Sequence, residues 1–447
     1  VDPITIIGAG LAGCEAAWQI AKRGGKVILY EMKPEVYSPA HRSPFFAELV
    51  CSNSLKSESI ENASGVLKEE MAQLESLILK VAMEARVPAG NSLAVDREVF
   101  SREITQILES LENVKVIRSE VSSIPQDGFT IIATGPLTSE ALSKEIQKVT
   151  GSHRLFFYDA ISPIVTADSI NFKKIFKSSR YGKGGKDYIN CPMNEEEYNQ
   201  FVVTLNEAER VPVHAFERRY LFEGCLPIEE MAERGGGTLA HGPLKPVGLT
   251  DPTTGKQPFA VVQLRQEDRF GTLFNLVGFQ TRLKYEEQKR VFRMIPGLEH
   301  AEFVRLGSIH RNTFIDAPRL LGDSLQLKHC SNLFFAGQIT GVEGYMESTA
   351  MGLLCGINAY RYANGMPTVV PPSTTSIGAL IHYITQSLSV PFQPMNINFG
   401  LFPSLPGRGK GRAKRLLMAK RALREMEKWR KEVEEQETKR DILVGKR

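Results

Sequence analysis

Ile4-Thr5-Ile6-Ile7-Gly8-Ala9-Gly10-Leu11-Ala12-Gly13 is an apolar strand that runs into a G-x-G-x-x-G turn, and Cys14-Glu15-Ala16-Ala17 continues it as a helix. Each glycine has its own task. Gly8 permits the tight turn, Gly10 lets the backbone approach a pyrophosphate, and Gly13 lets the helix pack close on the strand. The helix start at Ala9, Leu11 and Ala12 then turns unpaired N–H groups and a positive dipole end toward the phosphates. A second apolar strand, Lys26-Val27-Ile28-Leu29-Tyr30, ends in Glu31, where a carboxylate binds ribose hydroxyls. A glycine-rich turn without a ligand would not require this whole context.

The 447 residues suffice for two or three domains. With 42% hydrophobic and 24% charged residues, the composition is that of an ordinary soluble globular protein. No apolar run approaches the roughly 18 residues of a membrane span, so no membrane contact is expected. The apolar residues at the N-terminus belong to the first strand, so no secretory signal is expected either. Six cysteines, at 14, 51, 191, 225, 330 and 355, form no C-x-x-C pair. That argues against a metal site and for a reducing cytoplasm.

Further along, Phe45-Phe46-Ala47-Glu48-Leu49-Val50-Cys51 is an apolar run halted by the turn-forming Ser52-Asn53-Ser54. Cys51 reads either as a reactive group at the end of an element or as a small buried hydrophobe. Ser64 can cap a long helix whose stripe is Leu67, Met71, Leu74, Ile78 and Val81; Asp96 can cap the next, with Phe100, Ile104, Ile107 and Leu111. By position alone Arg97 and Arg102 read as solvated. The strand Phe129-Thr130-Ile131-Ile132 closes on Ala133-Thr134-Gly135, and Thr134 and Gly135 are placed beside the cofactor.

From about Tyr158 the βα alternation stops and short strands separated by glycine and lysine take over, as in an inserted α+β module. Arg180-Tyr181-Gly182-Lys183-Gly184-Gly185-Lys186 in this module reads as a solvated hairpin turn more than as a nucleic-acid contact. The module also holds Phe222-Glu223-Gly224-Cys225-Leu226-Pro227-Ile228-Glu229-Glu230. Pro227 suits a first helical position, Glu229 and Glu230 suit a first turn, and Gly235 suits the helix end. Cys225 then stands just before a helix N-terminus, which lowers a thiol pKa. A third stretch, Phe334-Phe335-Ala336-Gly337-Gln338 to Gly344-Tyr345, is a strand entering a second glycine turn and leaving as a small-residue helix. Gly337, Gln338 and Gly344 bring another helix N-terminus to the cofactor, and Tyr345 either stacks on its ring or packs in the core. Two such turns around an insertion point to FAD as the bound nucleotide.

The tail carries the strongest charge. Residues 406–431 hold eleven Lys/Arg against two Glu, on a chain whose whole net charge is +4. Leu416, Ala419, Leu423 and Met426 give this segment a helical stripe. Arg408, Lys410, Arg412, Lys414, Arg415, Lys420 and Arg421 are the candidate RNA contacts; a solvated, salt-bridged helix and a membrane-surface helix are the alternatives. Residues 432–447 revert to mixed charge and are expected to fray.

The fold class is therefore α/β. It is a Rossmann-like FAD-binding domain of the two-dinucleotide-binding-domain flavoprotein type, interrupted by an α+β insertion domain. Residues 1–157 and 301–405 make the two segments of the FAD domain, 158–300 the insertion, and 406–447 a basic helical tail. The stretches around Gly8, Cys51, Cys225 and Gly337, with Lys245-Pro246-Val247-Gly248-Leu249 and Asn398-Phe399-Gly400-Leu401, resemble the bacterial folate- and FAD-dependent tRNA (uracil-5-)-methyltransferase family along nearly the whole chain. The resemblance implies methylation of C5 of uridine 54 in the tRNA T-loop, with 5,10-methylenetetrahydrofolate as carbon donor and NAD(P)H as reductant. By that likeness Cys225 attacks C6 of the uracil, Cys51 is the base that removes the C5 proton, and Tyr345 lies near the flavin. The same chemistry on a ribosomal RNA uridine is the alternative. A small-molecule flavin oxidoreductase would need neither the basic tail nor Cys225, and a non-enzymatic RNA-binding flavoprotein would turn nothing over.

Overall fold

The structure is a computed structural model, and it describes residues 2–151, 155–182, 185–212, 226–389, 392–405, 411–443 and 445. Cys225, Arg408 and Lys410 lie outside the described residues.

Ile4–Ile7 is near the centre of a six-stranded sheet. Val27–Glu31 and Thr130–Ile132 flank it in parallel, with Val114–Arg118 beyond the first and Cys330–Phe335 beyond the second. Gln326–Leu327 closes one edge antiparallel. Ile7 pairs in register with Tyr30 on one side and Ile132 on the other. Gly8, Glu31 and Ala133 therefore leave the sheet together at its carboxyl edge, where a doubly wound sheet binds its ligand. The strand Cys330–Phe335 joins the same sheet from late in the chain and brings Gly337 to that edge, which is the α/β arrangement expected from the sequence.

Two helices of small residues lie across this edge. A Cβ on Gly352 would sit 2.2 Å from the Ala12 carbonyl oxygen, and one on Gly356 2.7 Å from that of Ala16. The helices Leu11–Ala21 and Tyr345–Ala363 thus meet backbone to backbone, an approach that any larger side chain would prevent. A second, wholly antiparallel sheet runs in the order Phe176–Lys177, Tyr188–Met193, Ala260–Gln266, Leu273–Leu276, Ile164–Thr166, Phe303–Arg305. It has its own core around Phe201, Phe279 and Phe292. A ribbon of Leu155–Ile161 paired with Ser308–Phe314 carries the chain out to it and back. No helix among the described residues is long and apolar enough to cross a membrane.

The stripe from Leu67 to Val81 is carried by two helices, Ala63–Gln73 and Leu77–Glu84, and Ser64 sits inside the first, behind Asn62 at its cap. The break falls at Glu75, whose φ is +56°. Beyond it the Ser76 hydroxyl caps the second helix by accepting the Leu79 N–H. Fully buried Glu15 in turn accepts the Ser76 O–H at 2.7 Å and the Ile78 N–H at 3.1 Å. A carboxylate at a helix start is favourable, and this one needs a helix to start there.

Residues 432–443 do not fray, because they continue the helix Gly411–Leu443. Met418, Ala419, Ala422, Met426, Trp429 and Val433 of this helix are buried, and it packs on Ala63–Gln73. Glu437 accepts from Arg23 at 3.1 Å and from Arg361 at 3.3 Å, and the Arg361 side chain is only 1% exposed. Glu437→Ala would leave Arg361 with Gln436 and the Pro367 carbonyl alone. The expected cost is about 3 kcal/mol, read from a urea midpoint; an unshifted midpoint would show that the pair holds nothing.

Candidate functional site

A cleft of about 1060 Å³ opens at the carboxyl edge of the parallel sheet. Gly8, Ala9, Gly10, Leu11, Ala12, Glu31, Thr134, Gly135, Gly337, Gln338 and Tyr345 line it, so the sequence-predicted cofactor residues from three distant stretches are brought together. The glycines differ as their tasks require. A Cβ on Gly8, at φ +99°, would meet the Ala133 carbonyl oxygen at 2.8 Å, and one on Gly13 would stand 1.8 Å from that of Gly8. One on Gly10 would find nothing within 4 Å. Gly8 and Gly13 are fixed by packing, whereas Gly10 faces the open space that a pyrophosphate needs. The Glu31 carboxylate accepts N–H bonds from Ala9 at 3.0 Å and Lys33 at 3.1 Å, which ties the turn to the second strand and leaves lone pairs for hydroxyls. Neither Gly10 nor Gly344 caps its helix with a side chain, so both helix starts retain N–H groups for a ligand. These residues fit a dinucleotide. Gly13→Ala should push helix and strand apart at a cost of about 2 kcal/mol. The variant should leave gel filtration with little bound flavin, and full flavin absorbance would contradict the packing role.

A second cavity of about 1090 Å³ adjoins the first across Val50, Pro136, Leu137, Gln338 and Tyr345. Gly344 lies on this side, and Cys51 is on its wall. The Tyr345 hydroxyl accepts the backbone N–H groups of Cys51 at 2.8 Å and Ser52 at 3.2 Å. Burial, and then the neighbouring Cys51 sulfur, pushes the Tyr345 hydroxyl well above its usual range, so it keeps its proton. Tyr345 thus belongs to both cavities and carries the backbone of Cys51. Cys14, Cys191 and Cys355 are buried, and burial pushes their thiols up, which makes them unreactive.

The described residues resume at Leu226, directly after Cys225. The Ile228 N–H donates to the Gln280 carbonyl at 2.7 Å, and Gln280 lines the second cavity. Pro227 is the N-cap of the helix Ile228–Glu233, one position earlier than expected, while Glu229 and Glu230 do occupy its first turn. Both carboxylates are engaged. Glu229 accepts from the Thr281 hydroxyl and the Arg282 N–H at 2.8 Å each, and Glu230 accepts from Arg282.

The solvated reading holds for Arg102, an exposed partner of Glu98, and is overturned for Arg97. Arg97 pairs with buried Glu267 at 2.7 Å and donates to the Leu49 carbonyl at 2.7 Å. Burial opposes its charge, but Glu267, Tyr345 and Cys51 together outweigh that and raise its pKa. Arg265 likewise had no distinguishing signal in the sequence, because its partners Ser52 and Asn53 are far away in the chain. Of the tail cations, Arg412 pairs with Glu61 and Arg421 donates to the Pro403 carbonyl. Arg415 and Lys420 are exposed and Lys414 is half-buried. Arg180 is half-buried and engaged by Gln263 and the Val247 carbonyl, so it is not the solvated cation of the expected hairpin turn; Lys183 and Gly184 of that stretch lie outside the described residues.

A family model described as glucose inhibited division protein A matches residues 3–367. Curated relatives named methylenetetrahydrofolate--tRNA-(uracil-5-)-methyltransferase TrmFO align over almost the full length. The one from Geotalea uraniireducens is 60% identical, covering 96% of this chain and 98% of its own. The one from Moorella thermoacetica is 57% identical, covering 94% and 97%. Among solved structures, Aquifex aeolicus GidA in its form II crystal superposes with a TM-score of 0.70 at 16% identity, covering 96% of this chain and 73% of that one. At that identity the likeness speaks for the fold alone.

Proposed function

Since the chain belongs to the glucose inhibited division protein A family, and within it to the methylenetetrahydrofolate--tRNA-(uracil-5-)-methyltransferases, we propose that it methylates C5 of uridine 54 in the tRNA T-loop. FAD is its cofactor, 5,10-methylenetetrahydrofolate its carbon donor and NAD(P)H its reductant, and it acts in the cytoplasm. The observation that supports this reading most is the pair of adjoining cavities, one fitting a dinucleotide and the other bearing Cys51.

FAD, when bound, supplies hydride and one-carbon chemistry. The turn from Gly8 to Gly13, Glu31, Thr134 and Gly135 would hold its nucleotide half, and Gly337, Gln338, Gly344 and Tyr345 its ring half. The thiolate of Cys225 adds to C6 of the uracil, and the C5–C6 double bond becomes a nucleophile at C5. Once C5 carries the new carbon, Cys51 takes the C5 proton. As that proton is lost the new carbon leaves its carrier as an exocyclic methylene on C5, and a hydride, the chemistry FAD would supply, completes the methyl group while the C5–C6 double bond re-forms and Cys225 is expelled. Arg408, Lys410, Arg412, Lys414, Arg415, Lys420 and Arg421 contribute phosphate contacts, with Arg412 and Arg421 first exchanging their present partners. The test is one reaction of the purified protein with unmodified tRNA transcript, methylenetetrahydrofolate and NADPH. Mass spectrometry of the digested T-arm should show 5-methyluridine at position 54; its absence, in a protein with bound flavin, would refute the tRNA assignment.

A further inference from the structure

The loop that carries Cys51 is gripped from the antiparallel sheet. Arg265 and Glu267 stand at the end of the strand Ala260–Gln266. Arg265 donates from Nε to Asn53 Oδ1 at 2.8 Å and from Nη2 to Ser52 Oγ at 2.6 Å. Asn53 is fully buried, and its Nδ2 donates to the carbonyls of Val95 at 3.0 Å and Gln266 at 2.9 Å. On the other side of Cys51, Arg97 donates from Nη1 to the Leu49 carbonyl at 2.7 Å, while its Nε and Nη2 hold Glu267 at 2.7 and 3.2 Å. Leu49, Ser52 and Asn53 are thus all fixed, and Cys51 lies between them.

The charges in this clamp do not cancel. Arg97 and Arg265 stand around the one carboxylate of Glu267, and the Cys51 sulfur is among the groups that favour the charge of each guanidinium. Arg265 and Glu267 are buried, at 7% and 4% exposure, where a charge is costly unless it is paired. A purely structural tie between two sheets would not need a surplus cation, nor would its bonds converge on the residues around one cysteine.

We propose that Arg265, Arg97 and Glu267 are positioning residues for Cys51, through which the antiparallel sheet sets where the proton-accepting thiol stands in the second cavity. This rests on the reading of Cys51 as the base at C5. A displacement of about 1 Å at a reacting group costs on the order of 100-fold in rate, so the clamp should act on proton removal and spare the preceding attack at C6.

The test uses flavin-loaded full-length protein with Arg265→Met, Arg265→Lys and Ser52→Ala. Two readouts separate the steps. Tritium release from C5-tritiated T-arm RNA follows C5 proton loss, and covalent capture of 5-fluorouridine T-arm RNA follows attack at C6. Arg265→Met should slow tritium release about 100-fold at unchanged KM for RNA, and Ser52→Ala about tenfold. Capture should stay at the wild-type level, and Arg265→Lys, which keeps the charge, should fall between Arg265→Met and wild type. Wild-type release in both Arg265→Met and Ser52→Ala would overturn the clamp. So would release and capture falling in proportion, since that is the mark of general damage. If Arg265→Met does not fold, Ser52→Ala decides by the same readouts. A wild-type protein that releases no tritium would instead refute the methyltransferase reading, and this inference with it.

Discussion

Cys51→Ala is expected to lower methyl transfer by about a thousandfold, the middle of the range for removing a general base, while leaving covalent capture of 5-fluorouridine T-arm RNA intact. The physical reason is the order of bond changes. In the proposed reaction C6 attack precedes C5 proton removal, so an enzyme without its base should stall with the RNA still attached. The variant should therefore also accumulate an adduct with ordinary T-arm RNA, visible as a slow band on a denaturing gel that proteolysis abolishes. The second cavity fits this role, because Cys51 is on its wall and the Tyr345 hydroxyl holds the Cys51 and Ser52 N–H groups. Turnover within tenfold of wild type, with no adduct, would remove Cys51 from the chemistry and leave it a wall residue.

Cys225→Ala should have the larger effect, a loss of about 10⁴-fold or more with no covalent capture at all. Without the thiolate C5 is not activated, and nothing bound elsewhere replaces it. Undiminished capture of 5-fluorouridine RNA by this variant would reassign the nucleophile. The structure also bears on the setting of Cys225. The helix after it, Ile228–Glu233, is only six residues long, so its dipole is a weaker source of thiol activation than the sequence suggests. The two alanine variants together separate the roles, since one should lose capture and the other should retain it.

The readings that held are those dictated by local backbone chemistry. Gly8 and Gly13 are required by a turn and a strand–helix contact formed within a few residues, and a Cβ at either would strike backbone. Asp96 caps the helix Arg97–Glu109 by accepting the N–H groups of Glu98 and Val99, which needs only the three residues concerned. Gly337 could be placed at the carboxyl edge of the sheet because a strand, a glycine turn and a small-residue helix repeat the logic of the first turn. The readings that failed depend on partners the local pattern does not contain. Glu75 interrupts a sound helical stripe because Glu15, from the first helix, holds the start of the next one. The tail remains helical because Glu437 meets Arg23 and Arg361.

By itself, then, the sequence determined a dinucleotide cleft, its insertion, and two cysteines worth testing, because glycine turns and capped helices are specified by neighbours in the chain. Only the tertiary structure decided what stands around Cys51. Arg97 reads as an ordinary solvated cation until Glu267, 170 residues away, pairs with it, and Arg265 reaches Asn53 across 212 residues. A buried ion pair costs free energy unless both partners arrive together, and no local pattern records where the second partner will come from.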